Sequence, residues 1–388
     1  MEKIFNNTQV AFSLKNNREL NRAHFLFKLI GNPSLVKIGT SLTNFALNFH
    51  LPVEGLIRMT VFDHFCGGVS ENDCLKVVDK MYTKKVSSVL DYSVEGKEEE
   101  AQFDAALEMT LKTIEFAKAK EAIPFAVFKP TGLGRIALYE KVGAKAELTE
   151  NEKEEWNRVV ARFETICKTA FEKDVMLLID AEESWMQDAA DDLVTEMMRK
   201  YNKQKALIFN TLQMYRWDRM DFLKKLHETA KTEGFYIGMK VVRGAYMEKE
   251  GERAAAKGYK NPICESKEAT DKNYDTCIAY MMDNIEKMAI FEGTHNEASS
   301  YKLMELMQQK GISKNDNRIW FGQLYGMSDN ISYNLAENGY NVAKYLPFGP
   351  VRDVMPYLIR RAEENTSVAG QTGRELILLE TEKKRRKL

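Results

Sequence analysis

The sequence predicts an α/β chain built on a distorted, TIM-like (β/α)8 barrel with a helical segment in front of it, and three observations carry that expectation. Eight short apolar runs with β-branched enrichment recur between Val86 and Leu346. The stretches between them are long enough for a crossover helix, as parallel strands require, and no hairpin turn signals intervene. Nearly every run is followed by polar or charged residues, and in such barrels the carboxyl ends of the strands carry the chemistry.

In chain order, residues 1–84 read as helices, with apolar residues recurring at Phe25, Leu26, Leu29 and Ile30 and again at Leu42, Phe45, Ala46, Leu47 and Phe49. Cys66-Gly67-Gly68 breaks this pattern, and Ser70 to Asp73 resemble the cap of the next helix. The predicted strands are Val86–Tyr92, Phe125–Lys129, Val175–Asp180, Ala206–Thr211, Tyr236–Val242, Met288–Gly293, Arg318–Gln323 and Asn341–Leu346. Residues 85–368 thus form the expected barrel, and 369–388 an expected C-terminal tail with a basic end, Lys383 to Lys387. Such a block of cations has two readings: a solvated tail, or peripheral contact with an anionic membrane surface.

Composition narrows the function. The chain has 388 residues, 44% hydrophobic and 29% charged, with a net charge of −1, so it has no global attraction for nucleic acid and any anion site must be local. Its five cysteines are scattered without a CxxC, which argues against a disulfide framework or structural zinc and for a reducing compartment. No apolar run reaches the ~18 residues needed to span a bilayer, and the first residues lack a signal-peptide pattern. A cytoplasmic location is the resulting expectation.

The strand ends supply Lys129; Asp180-Ala181-Glu182-Glu183; Asn210 to Gln213; Lys240 and Arg243-Gly244-Ala245-Tyr246; Thr294-His295-Asn296; and Gln323-Leu324-Tyr325-Gly326. Tyr345 lies within the eighth run. Asp180, Glu182, Glu183 and His295 could be read as metal ligands, but the neighbouring lysines and arginine compete and metal-type spacing is missing, so no metal is expected. Gly132-Leu133-Gly134-Arg135-Ile136-Ala137 is a GxGxxA that could serve an NAD-linked dehydrogenase or be a plain βα loop interrupted by Pro130. No Cys or Ser stands at a strand end beside a sequence-local base, so covalent catalysis has little support. Cations, neutral donors and aromatics together suit a large anionic cofactor and a small carboxylated substrate.

Near the end of the barrel, Tyr357, Arg360, Arg361 and Glu364 fall at i, i+3, i+4 and i+7 and share one helical face. Paired guanidiniums there can clamp a carboxylate through two forks of donors. The alternative is a solvated face on which Arg360 pairs with Glu364, an arrangement contributing only about 0.3–0.5 kcal/mol.

Asp180-Ala181-Glu182-Glu183, Lys240-Val241-Val242-Arg243-Gly244-Ala245-Tyr246, Gly293-Thr294-His295-Asn296, Gln323-Leu324-Tyr325-Gly326-Met327 and Tyr357-x-x-Arg360-Arg361-x-x-Glu364-Asn365 together resemble the proline dehydrogenase family, in that family's order. The resemblance implies a single-function FAD enzyme that oxidises L-proline to Δ1-pyrroline-5-carboxylate by hydride transfer from C5 to flavin N5. It further implies a membrane quinone as electron acceptor. It assigns the proline carboxylate to Arg360 and Arg361 with Lys129, the support of Arg360 to Glu364, and the pyrrolidine ring to Tyr246, Leu324 and Tyr357. Asp180 and Tyr345 would shape the pocket, and Tyr345 would crowd a 4-hydroxyl, with hydroxyproline oxidation as the alternative activity. Gln213 and Lys240 are assigned to the flavin N5 edge. Arg243, Gly244, Ala245, Lys267, Thr294, His295, Asn296 and Gln323 are assigned to the remainder of FAD. Bifunctional relatives have arginine at Lys240 and tryptophan at Met247, so lysine here resembles the monofunctional branch and the adenine contact departs from theirs.

Overall fold

The computed structural model describes residues 3–32, 34–37, 39, 41, 54–93, 98–367 and 371–388, without the side chains of 56, 59, 362–367, 371 and 372. Eight parallel strands close in sequential order: β1 Val86–Tyr92, β2 Phe125–Phe128, β3 Met176–Ile179, β4 Ile208–Gln213, β5 Ile237–Val242, β6 Met288–Gly293, β7 Ile319–Leu324 and β8 Val342–Phe348. A helix or helices follow each strand, so the expected (β/α)8 barrel is the fold. The first and sixth strands have the predicted bounds, whereas β4 begins two residues later than expected. The Asn202 side chain explains the shift: Oδ1 accepts from Leu207 and Ile208 at 3.0 and 2.8 Å, and Nδ2 donates to the Ile208 carbonyl at 2.8 Å. This clasp holds residue 207 in the connection, and Gln213 becomes the last strand residue, paired with Val242.

By its contacts the chain divides into two units, Gly96–Phe321 and the combination of Met1–Glu95 with Gly322–Leu388. In the first, Phe125 of β2 meets Phe209, Phe291 and Trp320 edge to face, with centroids 5.2–5.8 Å apart. Gly238 is a glycine because a Cβ there would lie 2.6 Å from the Phe209 ring. Phe125, Phe209 and Trp320 stand at the first or second position of β2, β4 and β7, whereas Phe291 is the fourth residue of β6, in register with Lys240.

In the second unit the helix Asn17–Ile30 starts at a capping box. Asn16 Oδ1 accepts from the amides of Arg18 and Glu19, both at 2.9 Å, and the Glu19 carboxylate accepts from the Asn16 amide at 2.8 Å. Its buried face, Leu20, Ala23 and Phe27, packs with Phe12, Leu378 and Leu379. The last two belong to a helix, Gln371–Arg385, where the sequence suggested a tail. Arg385 and Arg386 of the basic block pair with buried Glu382 at 2.8 and 2.6 Å, and Arg386 also donates to the carbonyls of Phe12 and Lys15. Paired leucines on one face and an internal counter-charge thus fix a segment whose charge alone suggested solvation.

The same unit contains Asp329–Glu337, a helix buried from Asp329 through Ala336. Its side chains reach back to the first residues of the chain: Asn330 Nδ2 donates to the Phe5 carbonyl at 3.3 Å and Asn334 Nδ2 to that of Asn7 at 3.1 Å. The Cys66-Gly67-Gly68 break also appears as predicted, after a helix ending at Phe65. A Cβ on Gly67 would sit 2.7 Å from Leu346 and one on Gly68 2.3 Å from Asp73, so both glycines permit close approach to β8 and the next helix. Ser70 and Asp73 then form the expected capping box.

Candidate active site

In the Gly96–Phe321 unit, three strands bring charged groups together. Lys129 follows β2, Asp180 follows β3 and Lys240 lies within β5. Lys240 Nζ is 2.5 Å from Asp180 Oδ1, and Lys129 Nζ is 3.4 Å from Oδ2. All three side chains are 15% exposed or less, so water screens the cluster weakly. Burial works against a charge on Asp180, but the Lys240 and Lys129 ammoniums outweigh it and hold the carboxyl below its ordinary range. Among the described residues, the cluster joins two cations to one shared anion.

Beside it, Gln213 Nε2 donates to the Glu182 carbonyl at 2.7 Å, which fixes the amide's orientation, while its Oε1 is buried with no partner among the described residues. Thr211 Oγ1 donates to the Ile179 carbonyl at 2.7 Å. Behind these residues stands a network that sequence reasoning missed. Asp191 accepts from Gln187 and Asn210 at 2.9 and 2.8 Å and from Arg219 at 2.7 Å, and Gln187 Oε1 accepts from the Glu182 amide at 3.1 Å. Its signal was Gln187 and Asp191 standing at i and i+4 on the otherwise apolar face that continues through Val194 and Met198.

Glu182 is buried and accepts from the Thr131 hydroxyl and amide at 2.6 and 3.0 Å; Glu183 pairs with Lys249. Burial pushes Glu182 up to about 7 despite the Thr131 hydrogen bonds. A carboxyl raised in the folded state contributes stability that is fully present below its unfolded value of about 4.3 and is lost as pH rises through about 7. Glu182→Gln should therefore flatten the fall in unfolding midpoint between pH 5.5 and pH 8. A fall as steep as the parent's would exclude Glu182 as its source.

Beyond β5, Arg243 is held by Asp271 Oδ1 at 2.7 Å, Thr294 Oγ1 at 2.9 Å and Ser299 Oγ at 3.1 Å, with its guanidinium 4.4 Å from the centre of the Tyr274 ring. Lys267 shares Asp271 at 2.6 Å but is 62% exposed, so it stands at the rim. Asn296 accepts from the amides of Ala298 and Ser299, which commits its oxygen to capping the helix Glu297–Gln309. His295 and Tyr246 are half-buried, and Ala245 and Met247 are exposed. Gly244 has φ +137°, and a Cβ there would strike the Tyr215 ring at 2.5 Å, so this turn needs glycine.

The GxGxxA stretch has a different use. A Cβ on Gly134 would lie 2.5 Å from Val159, so the glycine admits the helix Glu150–Lys173. Arg135 binds Glu155 at 2.8 Å, and Arg162 donates to the Leu133 carbonyl at 3.1 Å, which ties the loop to the same helix.

In the other unit, the helix Val351–Ser367 buries Val354, Met355 and Leu358 with Leu26, Ile30, Phe62, Phe65 and Met327. Tyr357 belongs to that cluster and Leu324 packs against it. Arg361 is 8% exposed, and its guanidinium lies 5.2 Å from the centre of the Tyr357 ring; Arg360 is half-buried. The solvated-face reading therefore does not hold for Arg361. The Glu364 side chain lies outside the described residues. Tyr345, also buried, lies mid-strand opposite Val89. Gln323 Oε1 accepts from Ser332 at 2.9 Å, which directs this residue to the Asp329–Glu337 helix.

A family model described as proline dehydrogenase matches residues 74–374. The chain belongs to the proline dehydrogenase family. Among relatives of the chain, the carbapenem antibiotics biosynthesis protein CarD of Pectobacterium carotovorum is 36% identical, covering 86% of each chain. The mitochondrial proline dehydrogenase 1 of Homo sapiens is 41% identical over 62% of this chain and 41% of its own length. That of Caenorhabditis elegans is 40% identical over 62% and 40%. The chain thus spans about two fifths of these two proline dehydrogenases. The crystal structure of proline utilization A (PutA) from Bdellovibrio bacteriovorus inactivated by N-propargylglycine shares the fold, with a TM-score of 0.72 at 21% identity over 95% of this chain and 39% of that one.

For the FAD implied by resemblance to the proline dehydrogenase family, the residues present fit. Lys240 and Arg243 supply cations, and the fixed amide of Gln213 presents a buried acceptor that still has capacity for a donor. No helix among the described residues is long and apolar enough to cross a membrane.

Proposed function

We propose that the chain oxidises L-proline to Δ1-pyrroline-5-carboxylate as a step of proline catabolism. The observation that carries this reading is the buried guanidinium of Arg361 stacked on Tyr357, within a motif of the proline dehydrogenase family. Arg360 and Arg361, with Lys129, bind the substrate carboxylate; Glu364 supports Arg360. Tyr357, Leu324 and Tyr246 pack on the ring, and Asp180 and Tyr345 bound the space around it. Gln213, Lys240, Arg243, Gly244, Ala245, Lys267, Thr294, His295 and Asn296 hold FAD; the commitment of Gln323 to Ser332 favours a supporting role for that residue. When bound, FAD supplies the two-electron acceptor for hydride from C5, and a quinone takes the electrons onward.

The protein's own contribution is orientation and charge. Two guanidiniums fix the carboxylate and thereby the ring, and exclusion of water by the tyrosines strengthens those contacts. Lys240 stabilises negative charge that develops beside it, with Asp180 holding the ammonium in place. The exposed Lys384 and Lys387 remain the candidates for peripheral contact with the cytoplasmic face of a membrane.

The match to CarD over 86% of both chains favours a second reading, in which a similar oxidation of a pyrrolidine carboxylate serves biosynthesis. Steady-state assay of the purified full chain with an artificial electron acceptor separates the two. Turnover of L-proline with the highest kcat/KM supports the catabolic reading. A preference for a substituted pyrrolidine carboxylate supports the second, and NAD-dependent activity without bound flavin would overturn both.

A further inference from the structure

Lys344 lies on β8 beside Tyr345 and points to the opposite face, where its side chain is fully buried. Its ammonium donates to the Met327 carbonyl at 2.6 Å and the Leu324 carbonyl at 3.3 Å, and pairs with Asp329 Oδ1 at 2.9 Å. These three partners match the three donors of an ammonium. The two carbonyls bracket the loop that follows β7. Within the loop, the Tyr325 amide donates to the Tyr345 carbonyl at 2.8 Å, and the Gly326 carbonyl lies 3.0 Å from His64 Nε2. Gly326 has φ +81°, and a Cβ there would fall 2.3 Å from the His64 carbonyl oxygen, so the turn has little room to adopt another course.

Burying a lysine is costly, and its charge is not needed merely to neutralise Asp329, whose Oδ2 already holds Lys15 at 2.9 Å. What Lys344 adds is the capture of Leu324's own carbonyl and that of Met327, one on each side of Tyr325 and Gly326. We propose that Lys344 is a positioning residue for substrate selection: from behind β8 it fixes the β7 loop so that Leu324 stands against the substrate ring, with His64 as a second anchor. The inference rests on the reading of Leu324 as a ring-contacting residue, and it extends the binding apparatus to groups that never meet the substrate.

The test compares the full-chain holoenzyme with Lys344→Met, Lys15→Met and His64→Phe. Lys344→Met keeps the length and apolar stem of the side chain, and Asp329 retains Lys15. It should raise KM for L-proline about tenfold with kcat changed less than twofold, and should narrow discrimination between L-proline and trans-4-hydroxy-L-proline, since small misplacements of binding groups have effects of this order or larger. Lys15→Met leaves both carbonyl contacts of Lys344 in place and should lower the unfolding midpoint without altering KM or discrimination. His64→Phe should shift both quantities in the direction of Lys344→Met, by less. Parent-like KM and discrimination in folded Lys344→Met would overturn the proposal; if that variant fails to fold, the same result in His64→Phe overturns it. Inactivity of the parent toward proline would overturn the functional reading and this inference together, whereas an active parent with unchanged variants sinks this inference alone.

Discussion

Replacing Arg361 by methionine is expected to weaken proline binding by about 2–5 kcal/mol, because truncating one partner of a desolvated charge pair has a cost of that order. In a steady-state assay this would be a rise in KM of roughly 30-fold to several thousand-fold. Arg361 is buried and stacked on Tyr357, so bulk water cannot replace its donors when the substrate carboxylate enters. Arg360→Met should fall at the lower end of the range, since Arg360 is only half-buried. Methionine preserves much of each apolar stem, which separates loss of charge from loss of packing. An unchanged KM in both variants would remove the carboxylate clamp from the account.

The second large effect is expected at Asp180. Its removal in Asp180→Ala leaves the Lys129 and Lys240 ammoniums close together without their shared counter-charge, and breaking a buried pair by deleting one partner costs about 3–5 kcal/mol. Part of that cost should appear as a lower unfolding midpoint and part as altered flavin retention, because Lys240 would no longer be held. The carboxyl is held below its ordinary range, so its contribution is present above about pH 4 and is lost as pH falls through the folded value. Asp180→Asn should accordingly differ most from the parent near neutrality and converge with it in acid. Equal stability of parent and Asp180→Ala at neutral pH would show that the cluster has no structural weight.

The architecture was legible because it rests on local signals that tertiary context did not reverse. Runs such as Val86–Tyr92, with two valines, and Met288–Gly293, with Ile290 and Phe291, declare themselves as short apolar segments, and the intervening helices through their length. The start of β4 was not legible, since it depends on Asn202 reaching across a turn to the amides of residues 207 and 208. The C-terminal helix was obscured for a similar reason: the cations from Lys383 onward suggested a solvated tail, whereas buried Leu378, Leu379 and Glu382 give the segment a packed face.

Within the candidate site, the residues at strand ends were visible because parallel barrels place chemistry there. Asp180 with Lys129 and Lys240, and Arg243 with Thr294, emerge as contacts that follow from that placement. The supporting residues were hidden. Asp191 gains Asn210 and Arg219, 19 and 28 residues distant, beside its helical neighbour Gln187, and the partners of Lys344 lie 15 to 20 residues away, which periodicity alone cannot pair. Asn296 and Gln323 have the chemistry the sequence suggested at a strand end, and the structure adds local contacts that strand position alone does not reveal: Asn296 caps a helix and Gln323 accepts from Ser332.

The most direct test of the central claim is an anaerobic titration of the purified, flavin-loaded chain with L-proline, followed by visible absorbance. The account predicts loss of the oxidised-flavin band in proportion to added proline, with saturation that weakens sharply in Arg361→Met. A band unchanged by proline, in protein shown to hold FAD and to be folded, would contradict it.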